Sequence, residues 1–272
     1  MTKRIVVISH NVFGYHGLTR LTSDERFELV GNVCRTPTTT LSDYRDSGAF
    51  CSLYNIPHHK TEQIGNPETI EWIADKQPDA ILVLGWSQLI RDSILDIAPT
   101  YGTHPSLLPK NRGRGAIPWQ IINNETESGL TMFRIPKGTH PVDSGDIYAV
   151  VRYPIAPDET AQTLYRKATE ALLKIIDEEL LDILEGRIQP IKQDESQATY
   201  LERRKPSDSE LDWSKPPDYN ERFVRALTGM YPPPFTYDYH TGKKLIIREA
   251  KIINNDFIIT KAEDEDGNEV IG

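Results

Sequence analysis

Apolar residues in the first half of the chain come in short runs that end at polar residues or glycine. RIVVIS at 4–9, FELVGNVC at 27–34 and DAILVLG at 79–85 are three such runs. Runs of this length are typical of parallel strands that are buried on both faces of a sheet. PETIEWIADKQ at 67–77 instead has helical spacing and begins with a proline suited to a first turn. This alternation predicts a doubly wound α/β fold with a mostly parallel sheet.

The pattern changes toward the end of the chain. Residues 160–185 carry the clearest helical periodicity, and Gly186 follows as a C-terminal cap. Beyond residue 206, prolines cluster, and alternating runs such as KKLIIREAKII predict antiparallel strands joined by turns. We therefore predict a large α/β domain over residues 1–190 and a small β-rich domain over residues 206–272.

Composition narrows the class of protein. Hydrophobic content of 38% and charged content of 26% over 272 residues are ordinary for a folded, water-soluble chain. The apolar runs are far shorter than the roughly 20 residues of a membrane span, and Met1 leads into a strand-like run without a signal-peptide profile. We expect a cytoplasmic protein with no membrane partner, no metal site, and Cys34 and Cys51 as unpaired thiols.

The segment THPSLLPKNRGRGAIPW at 103–119 follows a predicted strand, so it lies on the ligand side of the sheet. Its glycines and prolines fix a loop shape, and His104 can move a proton near neutral pH. A lone histidine is more often a structural hydrogen-bonding residue. A second polar cluster, VDSGD at 142–146, contains Asp143, which is either a turn former or a carboxylate that faces His104.

Together these segments resemble a known family. HPSLLPKNRGRGAIPW and VDSGDI are similar to the core of the formyltransferases that use 10-formyltetrahydrofolate, which include methionyl-tRNA formyltransferase and the amino-sugar N-formyltransferases. SHNVFGYHGLTRL, GWSQLIRDSILDIAP and the C-terminal LERRKPSDSELDW extend the resemblance over nearly the whole chain.

The resemblance implies transfer of a formyl group from 10-formyltetrahydrofolate to a primary amine. His104 would supply the proton-transfer function, and Asp143 would tune the imidazole for that function. The implied folate-binding residues are Gln88, Leu89 and Ile90, which offer backbone groups to the pterin, together with Ser106, Leu107, Leu108, Pro109 and Val142. Arg114 would face the donor or the phosphates of the acceptor.

One departure from the family pattern concerns the oxyanion. The pattern Asn-x-His has Gly102 in place of the asparagine, whose loss typically costs ~3 kcal/mol of transition-state stabilisation. A backbone N–H freed by Gly102, the side chain of Asn11 and that of Asn111 are the substitutes considered. A folate-binding protein with impaired or lost transfer is the alternative. A longer loop before Asp143 also brings His140 close to the carboxylate, as an alternative partner or a surface residue.

The acceptor is predicted from charge. The chain has a net charge of −9, and residues 206–272 hold 8 lysines and arginines against 13 aspartates and glutamates. Binding to nucleic acid depends on neutralising phosphates, so this composition disfavours tRNA. We predict a small acceptor, a nucleotide-linked amino sugar, with methionyl-tRNA formyltransferase as the alternative and a homodimer as a compatible assembly.

Overall fold

The computed structural model describes residues 2–37 and 43–271. Its strands are β1 (Lys3–Ser9), β2 (Phe27–Arg35), β3 (His58–Thr61), β4 (Ala80–Val83), β5 (Thr100–His104), β6 (Arg112–Gly113), β7 (Glu127–Arg134), β8 (Ile147–Pro154), β9 (Tyr200–Leu201), β10 (Phe235–Tyr237), β11 (Lys244–Ile253), β12 (Asp256–Glu263) and β13 (Glu269–Ile271). Its helices are α1 (Val12–Thr22), α2 (Gly48–Leu53), α3 (Pro67–Asp75), α4 (Asp92–Leu95), α5 (Ala116–Ile122), α6 (Ala161–Glu178), α7 (Leu180–Leu184) and α8 (Pro217–Leu227).

The chain forms two compact units that interleave along the sequence. The first comprises Met1–Arg112, Gly129–Arg152 and Ala168–Thr199, and the second comprises Gly113–Ser128, Tyr153–Lys167 and Tyr200–Gly272. The domain boundaries at residues 190 and 206 stay a prediction.

A seven-stranded sheet with the order β3-β2-β1-β4-β5-β7-β8 dominates the first unit. The pairs from β3 to β5 are parallel, and β5 pairs with β7 in the antiparallel sense. The predicted α/β fold with a mostly parallel sheet is therefore confirmed. Strands β2 and β3 lie on one side of β1, whereas β4 and β5 lie on its other side. The strand order therefore reverses between β1 and β4.

The register of three neighbouring strands aligns their carboxyl ends. Ile8 of β1 pairs with Val83 of β4, and Val83 pairs with Gly102 of β5. Two residues beyond each of these positions stand His10, Gly85 and His104. Sheet strands are spaced about 4.8 Å apart, which places His10 and His104 roughly 10 Å apart on either side of Gly85.

The core of the first unit is built from the strands that the sequence predicts. All four side chains of β4 are buried, as are five of the seven in β1. In this unit, the predicted apolar face of residues 160–185 is buried through Leu172, Ile175 and Ile176. That segment is two helices, α6 and α7, because Glu179 between them leaves helical geometry with φ −122° and ψ −29°.

The C-terminal part of the chain contains the small antiparallel sheet that the sequence predicts. Its order is β10-β11-β12-β13, and β11 and β12 form its longest pair. Helix α8 was not predicted there. The prolines that precede it suggested a break, but Pro217 occupies the first turn of the helix, where a missing N–H costs nothing.

The sequence analysis predicted that both cysteines are unpaired thiols and that the apolar runs are too short to span a membrane. Cys34 and Cys51 are free and buried, and burial raises the pKa of Cys34 to about 11 and that of Cys51 to about 12. None of the helices in the described part of the chain has the length and apolar character needed to cross a bilayer.

Candidate active site

His104 is the last residue of β5, and only 6% of it is exposed. Its Nε2 lies 2.6 Å from the main-chain oxygen of Asn111. A carbonyl oxygen can only accept a hydrogen bond, so Nε2 must carry the proton in this contact. In the neutral ring the lone pair is then on Nδ1, which makes Nδ1 the atom that can act as a base.

The carboxylate of Asp143 faces that same nitrogen. Its Oδ2 is 3.5 Å from His104 Nδ1, and its side chain is 17% exposed. Asp143 also has a left-handed backbone with φ +54°, as a turn former does. The two roles considered from the sequence therefore coexist in one residue. His140 is exposed, and the carboxylate contact that brings Asp143 to the site is with His104.

Gln193 holds the turn that carries Asp143. Its side-chain nitrogen donates to the main-chain oxygens of Asp143 and Gly145, each at 2.7 Å. Its side-chain oxygen accepts from the guanidinium of Arg112 at 2.7 and 3.1 Å. Gln193 thus links the Asp143 turn to the loop after His104.

Arg112 is the largest fully buried side chain of the described residues, and its side chain has no exposed surface. Glu195 pairs with it through both carboxylate oxygens, at 2.6 and 2.8 Å. Thr199 also fixes the loop, because its hydroxyl accepts from the N–H of Asn111 and its carbonyl accepts from that of Arg112. The segment 193–199 therefore positions both partners of His104.

Sequence reasoning missed Gln193, Glu195 and Thr199. They lie in a polar segment that has the composition of a solvated linker, which gives no periodic or motif signal. The one available signal was Arg112, an arginine flanked by glycine-rich sequence directly after the His104 loop.

The position of the missing asparagine is filled by apolar side chains. A Cβ at Gly102 would lie 3.2 Å from Cζ of Phe133 and 3.3 Å from Cδ1 of Ile135. Gly102 is paired with Val83 on one side and Phe133 on the other, so the sheet is continuous there. No backbone N–H is freed by a break in the sheet at this position.

The two asparagines considered as substitutes have other contacts. Asn11 caps helix α1, since its side-chain oxygen accepts from the N–H of Gly14, and its amide donates to Asp43. Asn111 supplies the main-chain oxygen that binds His104. Its backbone is left-handed, with φ +58°.

The predicted pterin segment follows β4. Leu89 is 77% exposed, whereas the side chain of Gln88 is bound within the protein. The amide of Gln88 accepts from the N–H of Ile64 at 3.0 Å and donates to the carbonyl of Glu62 at 2.7 Å. Its side chain thus fixes the loop and leaves the backbone of residues 88–90 as the ligand-facing candidate; Ile90 packs against the core.

Residues 106–109, predicted to contact the folate, form a largely buried turn after His104. Ser106 is fully buried, and its hydroxyl donates to the carbonyl of Lys110. Thr131 braces this turn by donating to the carbonyl of Ser106 at 2.6 Å. Leu108 is buried, Leu107 and Pro109 are half-buried, and Val142 on the Asp143 loop is 39% exposed.

Arg114 lies in the second unit. The residue is exposed overall, but partial desolvation of its guanidinium lowers the pKa of that group. The positive charge of Arg203 lowers it further. Two adjacent cations favour an anionic partner at that surface.

Residues 4–180, well over half of the chain, match the family model described as Formyl transferase. The chain belongs to the formyl transferase family. It is a formyl-transferring enzyme, as the resemblance of its motifs implies.

Solved structures share the fold of this formyltransferase. Methionyl-tRNA formyltransferase from Clostridium thermocellum is 21% identical with a TM-score of 0.64, over 99% of this chain and 100% of that one. A sugar N-formyltransferase from a Shewanella species is 16% identical with a TM-score of 0.71, over 93% and 99%. A variant of HypX from Aquifex aeolicus is 17% identical with a TM-score of 0.69, over 97% of this chain but 45% of that one. The chain thus spans about half the length of HypX.

We expect Gln193→Ala to slow formyl transfer roughly ten- to hundred-fold, because small displacements of reacting groups are costly. The substitution removes the donor to the Asp143 turn and one partner of Arg112. Steady-state kinetics would measure the effect, with Gln197→Ala as the matched control, since the Gln197 amide donates to exposed Asp194. Equal rates for the two variants would contradict a positioning role for Gln193.

Gly102→Asn should lower turnover and destabilise the fold by about 1–3 kcal/mol, because the new side chain overpacks against Phe133 and Ile135. Gly102→Ala adds only the Cβ and separates crowding from the effect of an amide. Turnover and chemical denaturation of both variants would be compared with the parent. A rise of tenfold or more in Gly102→Asn, with folate affinity unchanged, would instead mean that the parent lacks an oxyanion donor.

Proposed function

We propose that this formyltransferase transfers the formyl group of 10-formyltetrahydrofolate to the primary amine of a nucleotide-linked amino sugar. The observation that carries the proposal is the pair of buried His104 and half-buried Asp143 at the carboxyl edge of the sheet, with Nδ1 and Oδ2 3.5 Å apart. The edge of a doubly wound sheet is where its ligands bind. An imidazole with a lone pair directed at a carboxylate can accept a proton and keep the resulting charge paired.

The chemistry requires one proton to move twice. The amine nitrogen attacks the formyl carbon, a C–N bond forms, and the carbonyl oxygen becomes an oxyanion. Nδ1 of His104 takes a proton from the amine nitrogen, while Nε2 keeps its bond to Asn111. The imidazolium then faces the carboxylate of Asp143 and returns the proton to N10 of tetrahydrofolate as the C–N10 bond breaks.

The oxyanion must be stabilised without an amide at position 102. The imidazolium of His104 carries a positive charge at the moment the oxyanion forms, so it serves as the electrostatic partner in this mechanism. A buried site strengthens such an interaction, because the effective dielectric constant is lower than that of water. His104 therefore combines proton transfer with charge stabilisation, and Asp143 keeps the charged ring in place.

The donor assignment rests on the loop after β4. The backbone of Gln88, Leu89 and Ile90 is available to the polar edge of a pterin, and exposed Leu89 and Val142 offer apolar surface to its ring. A structure of HypX from Aquifex aeolicus was solved in complex with tetrahydrofolic acid. That protein shares this fold at 17% identity, which supports a folate-derived donor.

The acceptor assignment rests on charge and on relatives. The chain has a net charge of −9, and its acidic C-terminal segment would repel the phosphates of a tRNA acceptor stem. The Shewanella structure is that of a sugar N-formyltransferase and matches 93% of this chain. Methionyl-tRNA is the second candidate, because the Clostridium enzyme aligns over its full length.

Incubation with 10-formyltetrahydrofolate and a panel of acceptors tests this function directly. The panel contains UDP- and dTDP-linked amino sugars beside charged initiator tRNA, and mass spectrometry detects the added formyl group. We expect one amino sugar to be formylated and the tRNA to be unchanged. His104→Asn and Asp143→Asn should each slow the reaction about 10²- to 10⁴-fold, the usual contribution of a proton-transfer group.

His58→Asn is the matched control, since His58 lies on edge strand β3 and its ring contacts the carbonyl of Ile56. Formylation of tRNA alone would replace the sugar with the second candidate. Near-parent turnover in His104→Asn would contradict its assigned role, even if a sugar product is found.

A further inference from the structure

Two buried donors that the proposed mechanism does not use lie just after β1 and β4, where a doubly wound sheet is expected to open a crevice. The strand order reverses between these strands, and such a switch point is where doubly wound folds bind ligands. His10 directly follows β1, and Trp86 follows β4. Their ring centroids are 5.2 Å apart.

His10 carries a proton that has no acceptor in the described part of the chain. The N–H of Ser87 donates to Nε2 of His10 at 3.2 Å, so Nε2 holds a lone pair and the neutral ring must carry its proton on Nδ1. Nδ1 is buried and has no hydrogen-bond partner among residues 2–37 and 43–271. The residue as a whole is 4% exposed.

Burial also keeps this ring neutral. Desolvation lowers the pKa of His10, an effect that the nearby carboxylate of Asp43 partly opposes. Nδ1–H is therefore a fixed donor at neutral pH.

Trp86 presents a second donor of the same kind. Its indole Nε1 is buried, and the described residues offer it no hydrogen-bond partner. Indole nitrogen is a donor only, so it too needs an acceptor oxygen. A buried donor without a partner typically costs ~1–3 kcal/mol, which makes two of them beside a crevice an indication of an absent partner.

The charges near His10 determine which kind of ligand oxygen could accept hydrogen bonds from these two donors. The carboxylate of Asp43 accepts from the amide of Asn11 at 2.9 Å, and Asn11 is the next residue after His10. Asp43 would repel a phosphate or carboxylate at the crevice. Arg35 also acts on His10 but offsets only part of that repulsion, because its effect on the pKa of His10 is smaller than that of Asp43. A neutral carbonyl or hydroxyl oxygen carries no such penalty.

We infer that His10 Nδ1–H and Trp86 Nε1–H form a binding subsite for a neutral carbonyl or hydroxyl oxygen of a co-substrate of formyl transfer. The inference rests on the proposed function, which brings a folate and an amino sugar to this edge of the sheet. Either the carbonyl of the pteridine ring or an oxygen of the nucleotide sugar has this chemistry. His10 lies roughly 10 Å from His104, a separation that one small ligand can span.

Two-dimensional NMR of the indole N–H groups tests the subsite. The chain has four tryptophans, and the resonance lost in Trp86→Phe identifies Trp86. We add 5-formyltetrahydrofolate in one arm and UDP- or dTDP-linked amino sugars in the other. The Trp86 proton should move downfield in the arm whose ligand supplies the oxygen, and that arm identifies the source.

Calorimetry of the same variant gives the matching affinity. Trp86→Phe keeps an aromatic ring and removes the N–H, so it should weaken binding of that ligand about five-fold, the effect of one hydrogen bond. Trp72→Phe is the matched control, because Trp72 packs against Gly31 and Lys76, away from the crevice. It should bind both ligands as the parent does.

The outcomes separate this inference from the proposed function. If the parent binds a ligand but its Trp86 resonance stays fixed and Trp86→Phe binds equally well, the two donors are satisfied by water and the subsite is wrong. If the parent binds neither folate nor amino sugar, the proposed function fails and the inference fails with it. Should Trp86→Phe not fold, phenylalanine variants of Trp72, Trp119 and Trp213 assign the Trp86 resonance by elimination, and the NMR arms on the parent protein decide.

Discussion

The site depends on a buried guanidinium. Arg112 has no exposed side-chain surface, and a charge removed from water is tolerated only when it is paired and fully hydrogen-bonded. Glu195 and Gln193 pair with it, and both come from a polar segment whose regular structure is limited to the 3-10 helix Glu195–Gln197. Pairing Arg112 thus fixes the segment 193–199 against the His104 loop.

Fixing this segment also positions His104 and Asp143, the two residues of the proposed mechanism, through main-chain atoms. Asn111, next to Arg112, directs its carbonyl at His104 Nε2 and so determines which ring nitrogen is protonated. Gln193 holds the carbonyls of Asp143 and Gly145, which keeps the carboxylate on the other side of the ring. A hydrogen bond to a main-chain atom keeps its geometry when surface side chains change. The proposed proton-transfer pair is therefore positioned by contacts outside the motifs themselves.

Much of this could be predicted from the sequence. Strands β1, β2 and β4 come from the predicted apolar runs, and strand ends of a parallel sheet collect polar residues at one edge, which is why the sequence placed His104 at a strand end. The turn at Asp143 was readable from its Asp-Ser-Gly composition. Long-range polar contacts were not readable, because Gln193 and Arg112 are 81 residues apart and nothing in the local pattern of either one encodes the other.

Other features that the sequence analysis did not predict also depend on contacts between distant parts of the chain or on ambiguous local patterns. Gln88 belongs to the predicted pterin segment, but its side chain binds the loop near Ile64. This contact joins the segments that follow β3 and β4, two strands that β2 and β1 separate in the sheet. The crowding at Gly102 comes from Phe133 on the antiparallel strand β7, which only the sheet order brings alongside. Helix α8 was missed because prolines at a helix start resemble a loop.

The tautomer of His104 is the most direct measure of this account. Nitrogen-15 NMR of histidine-labelled protein distinguishes protonated from unprotonated ring nitrogens, and the signals lost in His104→Asn identify the residue. The contact with Asn111 predicts that Nε2 carries a proton and that Nδ1 is the unprotonated nitrogen of the neutral ring. A ring protonated on Nδ1, with the lone pair on Nε2, would contradict the assignment of Nδ1 as the base and the positioning role of the Arg112 loop with it.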